Sequence, residues 1–327
     1  MINLIGHSLS RFPLDGLVWR RDLVYFEGPL LSEYTLNDEV YLKYWCDCDS
    51  DYNRWLIYKV KESDRLRLVA GEMSIFETIN AQPDMFYLFS DENDETCKYT
   101  LCDKHSIPDE YFPEPDSYLD IKDYIEDDNK VSFIFEDEWA FEQLKVVYQK
   151  FTQIYDFVFS CANNIRVSNS LPWHDGFSSM HFYKKMQDLM PMSKRSKLDA
   201  IHYASPGYMK IYSDSAINSI VLSKVKSFSE RKTEIDVLYS VAYERIKALG
   251  LNQMAKSDAI TEFDNDMTCV NSLESLKAQL DVSDVSLRSF SSHRFDHCKI
   301  LMAHYRRLDI FYSFIADGKI RVVSSLI

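Results

Sequence analysis

The hydrophobic rhythm of the chain changes partway along its length. Up to about residue 90, apolar positions come in short runs at residues 17–26, 40–46, 54–60 and 85–89. These runs are rich in aromatic and β-branched side chains and bounded by Gly, Pro, Asn or Asp, a pattern that predicts strands. Two short helices fit residues 64–70 and 74–80, and Ser74 with Glu77 three positions later has capping-box spacing. Beyond residue 136 the period lengthens. Ala140, Leu144, Val147, Phe151, Ile154 and Val158 recur at three- and four-residue steps and predict a long helix over 136–161.

Further helices are predicted over 178–189, 216–228, 234–249, 272–280 and 285–308, with Gly250 stopping the one over 234–249. Residues 198–204 and 208–212 read as strands meeting at Ser205-Pro206-Gly207, an order that suits a type II turn. Residues 252–268 show no clear period and read as loop. Asp317-Gly318 resembles a hairpin turn into a last strand at 319–323. Together the periods predict an α+β protein of two domains: a small, mixed β-rich N-terminal domain over residues 1–130 and a mostly helical C-terminal domain with a short β-hairpin over 131–327.

Charge sharpens that boundary. The net charge of −14 over 327 residues divides into −17 for residues 1–137 (30 acids, 13 bases) and +3 for residues 138–327 (21 acids, 24 bases). Residues 91–137 alone hold 16 acids and 4 bases, including Asp91, Glu92, Asp94 and Glu95 in one cluster and Glu126, Asp127 and Asp128 in another. This stretch reads either as a solvated acidic connector or as a surface for a basic partner protein. Hydrophobic residues at 46% exclude wholesale disorder, and seven scattered cysteines argue for reduced thiols. No run is long enough to span a membrane and no secretory leader is visible, so a cytoplasmic protein is expected.

One stretch carries a resemblance. From Leu14 to Ile79 the elements GPLL at 28–31, YLKYWCD at 41–47, WLIYKV at 55–60, LRLVAG at 66–71 and SIF at 74–76 follow the order and spacing of an uncharacterised bacterial domain family. The resemblance covers about a fifth of the chain and implies a shared N-terminal fold. It implies no activity, since that family has no assigned catalytic residues. The cysteines of CDCDSD depart from the family pattern.

Candidate chemistry was weighed against plainer structural uses. Asp47, Asp49 and Asp51 alternate as at the start of a calcium loop, but Tyr52 and Tyr58 stand where such a loop needs Gly and a bidentate acid, so an acidic hairpin turn is expected. Cys46, Cys48, Cys97 and Cys102 lack the usual zinc knuckle spacing. His293, His297 and His304 fall on the apolar stripe of the helix predicted over 285–308, as metal ligands or as buried hydrogen-bonded side chains; Arg294 stands where a metallopeptidase helix needs Glu. Arg288 with His293 matches the Arg-to-His spacing of a class of helical ribonucleases, as does Arg195 with His202, against about one match expected by chance. His174-Asp175, with His181, His202 and Ser205, lacks a nucleophile elbow. No phosphate-cradling glycine loop is present. Basic pairs at Lys184-Lys185, Lys194-Arg195, Arg231-Lys232 and Arg306-Arg307 leave nucleic acid open as a ligand of the second domain.

The leading expectation is a non-enzymatic interaction or regulatory subunit of a bacterial multi-protein system, defence systems included. It would bind a protein partner through Asp91, Glu92, Asp94, Glu95, Glu126, Asp127 and Asp128, without cofactor or metal. The competing expectation is a ribonuclease or other phosphodiesterase using Arg288, His293 and His297.

Overall fold

A computed structural model describes residues 6–9, 14–25, 28–49, 52–82, 85–92, 97–115, 129–136, 139–167, 180–202 and 206–323. The protein is α+β. It divides into two compact units, Met1–Asp127 with Pro206–Tyr208, and Asp128–Ser205 with Met209–Ile327.

The first unit is built on seven strands: β1 (His7–Leu9), β2 (Val18–Tyr25), β3 (Pro29–Leu36), β4 (Glu39–Asp49), β5 (Tyr52–Val60), β6 (Met85–Glu92) and β7 (Cys97–Asp103). They form an antiparallel sheet in the order β1-β7-β6-β5-β4-β3-β2. Asn37 and Asp38, both at positive φ, turn β3 tightly into β4, as short Asn and Asp side chains tolerate. Period-two alternation sends Leu42, Leu56, Tyr58, Phe86 and Leu88 to one face. There they meet Leu68 of α1 (Glu62–Val69) and Ile75 and Ile79 of α2 (Ile75–Asn80). The capping box at Ser74 forms: its hydroxyl accepts from the Glu77 N–H at 3.0 Å and the Glu77 carboxylate accepts from the Ser74 N–H at 2.7 Å. A buried ion pair, Arg65 Nε to Glu33 Oε2 at 2.7 Å, ties α1 to β3.

The second unit carries β8 (Lys130–Phe135), α3 (Phe141–Ala162), α4 (Met180–Leu189), β9 (Lys197–His202), β10 (Gly207–Tyr212), α5 (Ser215–Ala248), α6 (Lys256–Asn265), α7 (Met267–Gln279), α8 (Asp284–Phe290), α9 (Arg294–Ala316) and β11 (Ile320–Val322). A four-stranded sheet runs β11-β8-β10-β9. Its core is aromatic: Phe133 packs on Phe151 and Phe311, and Phe290 on Phe157 and Phe182. Among the described residues no helix is long and apolar enough to cross a membrane.

Several expectations are corrected. The two helices predicted between 216 and 249 are one helix of 34 residues, α5; the polar stretch at 229–234 is a turn of it, flanked by buried Phe228 and Ile235. Residues 252–268 are not loop, because α6 buries only Ala259 and Phe263, a stripe too narrow to produce a visible period. The last strand does not follow a hairpin turn. Gly318, at positive φ, ends α9 by donating to the Ile315 carbonyl, and β11 pairs with β8. The helix predicted over 285–308 is two helices, α8 and α9, separated at Ser291–His293.

Candidate functional site

The register of the first sheet brings two acidic segments to one end. β4 joins β5 between Asp49 and Tyr52, β6 joins β7 between Glu92 and Cys97, and Tyr52 pairs with Glu92 as Asn53 pairs with Asp91. Both connections therefore leave the sheet at the same edge of adjacent strands. Among the described residues, this end of the sheet carries Asp47 and Asp49 on β4 and Asp91 and Glu92 on β6. Asp47 accepts from Arg54 at 3.3 Å, and Asp91 is exposed. Asp51, Asp94 and Glu95 lie outside the described residues, as do Glu126, Asp127 and Asp128. The first acidic cluster is thus not part of a connector between domains, since β7 follows it and returns the chain to the sheet.

Next to this acidic end, the sheet face opposite the core carries a row of rings. Trp55 pairs with Phe89 and Phe89 with Tyr99 across β5, β6 and β7, and their rings stack at centroid distances of 5.1 and 5.0 Å. The Lys43 ammonium on β4 lies 4.3 Å from the Trp55 ring centre and 5.0 Å from that of Phe89. Phe89 and Asp91 alternate along β6 on the same face. Trp55, Phe89 and Tyr99 are half-buried. Sequence reasoning missed this row, because its pairing depends on β7, which had not been predicted; aromatic residues at alternate strand positions were the available signal.

In the second unit, the break between α8 and α9 shapes a polar pocket of about 430 Å³ lined by residues that include Lys277, Asp284, Arg288, Arg294 and His297. Ser291 makes the break: it is extended, its hydroxyl donates to buried Asp296 Oδ2 at 2.8 Å and accepts from the His293 N–H at 3.3 Å. A serine that bonds the local backbone competes with helix continuation. His297 Nε2 lies 2.7 Å from the Ser291 carbonyl, which can only accept. The Nε2–H therefore donates, leaving the lone pair on Nδ1. Burial lowers the pKa of His297 from its usual value, so the ring is neutral at pH 7. Arg288 and His297 are thus brought to one pocket, joined by Arg294, whose placement the sequence did not anticipate. His293 is not brought there: it is the residue preceding α9, its carbonyl accepting from the His297 N–H, and it does not line the pocket.

The remaining candidates separate. His304 is fully buried, with its ring 3.9 Å from that of Phe157 and neither nitrogen hydrogen-bonded among the described residues, whereas His297 is buried and bonded. No cluster of three or more metal-ligating side chains occurs among the described residues. Most basic pairs are engaged within their own unit: Arg231 bonds Asp281, Lys232 bonds Asp236 and Asp309, Lys194 bonds Asp214, and Arg307 stacks on Tyr183 at 3.7 Å. Lys184 and Lys185 remain exposed on α4. His174, Asp175 and Ser205 lie outside the described residues. No family model, characterised protein or solved structure matches this chain.

Proposed function

We propose that the protein is an interaction subunit that binds a basic protein partner at the acidic end of its seven-stranded sheet. The observation that carries this reading is the Tyr52–Glu92 register, which sets the hairpin connections of β4–β5 and β6–β7 side by side. Asp47, Asp49, Asp91 and Glu92 at the ends of these strands, in a region of net charge −17, create a local negative potential that draws in cationic side chains. The Trp55–Phe89–Tyr99 row adjoining that end adds aromatic contact area of the kind that anchors protein interfaces. Charge gives such an interface its on-rate and salt dependence, and the rings supply area removed from water.

A lysine-rich peptide of about 20 residues titrated into the full chain tests the location of binding. Neutralising Asp49, Asp91, Glu92, Asp94 and Glu95 to their amides should weaken binding about tenfold or more and flatten its dependence on salt. Neutralising the same number of acids elsewhere in the first unit, Glu62, Asp64, Asp109, Glu110 and Glu114 among them, should have a much smaller effect. Equal losses from the two sets would remove the assignment of the site.

A further inference from the structure

The pocket between α7, α8 and α9 has chemistry opposite to that of the sheet end. Lys277 is already paired, with Glu274 and with Asp284 at 2.8 Å. Arg288 and Arg294 are exposed and form no ion pair or hydrogen bond among the described residues; Arg288 feels the Asp284 carboxylate only at longer range. The lining therefore holds three cations against two anions, with both uncommitted charges on guanidinium groups. A guanidinium presents planar paired donors that match the oxygens of a phosphate. The lining also includes the exposed Ser292 and His297, whose Nε2 is held by the Ser291 carbonyl so that Nδ1 carries the lone pair. The volume of about 430 Å³ is within the range of small-molecule sites.

We infer that this pocket binds a phosphorylated ligand bearing a hydroxyl next to its phosphate, the chemistry of a ribonucleotide, with Arg288 and Arg294 on the phosphoryl oxygens and His297 Nδ1 accepting from the hydroxyl. A phosphate alone would satisfy the two arginines. The neutral acceptor beside them is what selects the neighbouring hydroxyl. Two acids act electrostatically on His297 and both are already engaged: buried Asp296 with the Ser291 hydroxyl and with Lys256 at 3.4 Å, and Asp284 with Lys277.

Calorimetric titration of the full chain with inorganic phosphate, a ribonucleoside 3′-monophosphate, its 2′-deoxy counterpart and a short RNA tests the inference. The ribonucleotide should bind about tenfold tighter than the deoxy compound, and Arg288→Gln and Arg294→Gln should each weaken it by about tenfold, since each removes a charge-assisted contact. Both arginines are exposed, so these variants keep the fold. Binding of the mononucleotide identifies a free nucleotide as the ligand, and binding of RNA alone identifies a phosphodiester; either supports phosphoryl recognition. Absence of binding by all four probes at millimolar concentration, or unchanged binding by both arginine variants, overturns the inference. Equal affinity for ribo and deoxy compounds removes the role given to His297. None of these results bears on the sheet end, which belongs to the other unit.

Discussion

Asp156 shows how strongly single residues are set by their surroundings. It lies on α3 with 3% exposure, its Oδ1 has no hydrogen-bond partner among the described residues, and burial pushes its pKa from 3.8 up to about 7 against a weaker pull from Arg195. A carboxyl group whose folded pKa is raised contributes stability that is complete below 3.8 and lost as pH rises through about 7. The shift corresponds to roughly 4 kcal/mol at most, at 1.36 kcal/mol per unit. Asp156→Asn should therefore stabilise the protein by a few kcal/mol at pH 8 and by little at pH 4, read from urea midpoints across that range. His304 acts in the opposite direction. Its pKa is held well below 6.5 by burial and by Lys224 and Arg307, so its unfolded form gains a proton first as pH falls. Stability from this ring is present above 6.5 and lost below it, and His304→Phe should remove that acid-side loss. His304 stood out in the sequence on the apolar stripe of its helix, whereas Asp156 was concealed. Asp156 sits among Ile154, Tyr155, Phe157 and Val158, and the helical period registers those apolar neighbours rather than the polar atom between them.

At the scale of elements, amphipathic period was the reliable signal where a helix packs a broad stripe into a core, as α3 does with eleven buried residues. It misled where polar serines end a helix. Phe290, His297, His304 and Phe311 fit one helical wheel, yet the Ser291 hydroxyl bonds Asp296 and the His293 N–H and ends the wheel at α8. Ser291→Ala leaves the buried Asp296 carboxylate without this donor and should destabilise the second unit by about 2 kcal/mol, measured by denaturant unfolding. Ser74→Ala removes the capping box that the sequence did reveal and should cost about 1 kcal/mol, read as a shift of the midpoint for the first unit. Strands β7 and β8 are masked in the sequence by the acidic stretch of residues 91–137 in which both lie, whose charge and prolines match a solvated connector. Yet VSFIF at 131–135 is apolar but for Ser132 and buried throughout, the pattern of a strand covered on both faces.

For the whole molecule, the α+β class was legible because the two periods, two and 3.6, occupy separate parts of the chain. The candidate surfaces were legible only in part. Composition located the acids at 47–51 and 91–95, but their convergence depends on strand register, which no local pattern in the sequence encodes. Likewise Arg288 and His297 were singled out together, while the partner residue Arg294 was visible only once the helix break had placed it at the pocket. The polarity of the chain, −17 followed by +3, becomes in the structure an acidic sheet end in one unit and an arginine-lined pocket in the other.

The most direct measurement of the central claim is the footprint of a basic partner by hydrogen–deuterium exchange, with the lysine-rich peptide bound to the full chain at low salt. Slowed exchange concentrated in residues 47–55 and 87–99, reversed by raising the salt, is the expected result. Slowed exchange elsewhere, with those two hairpins unchanged, would contradict it.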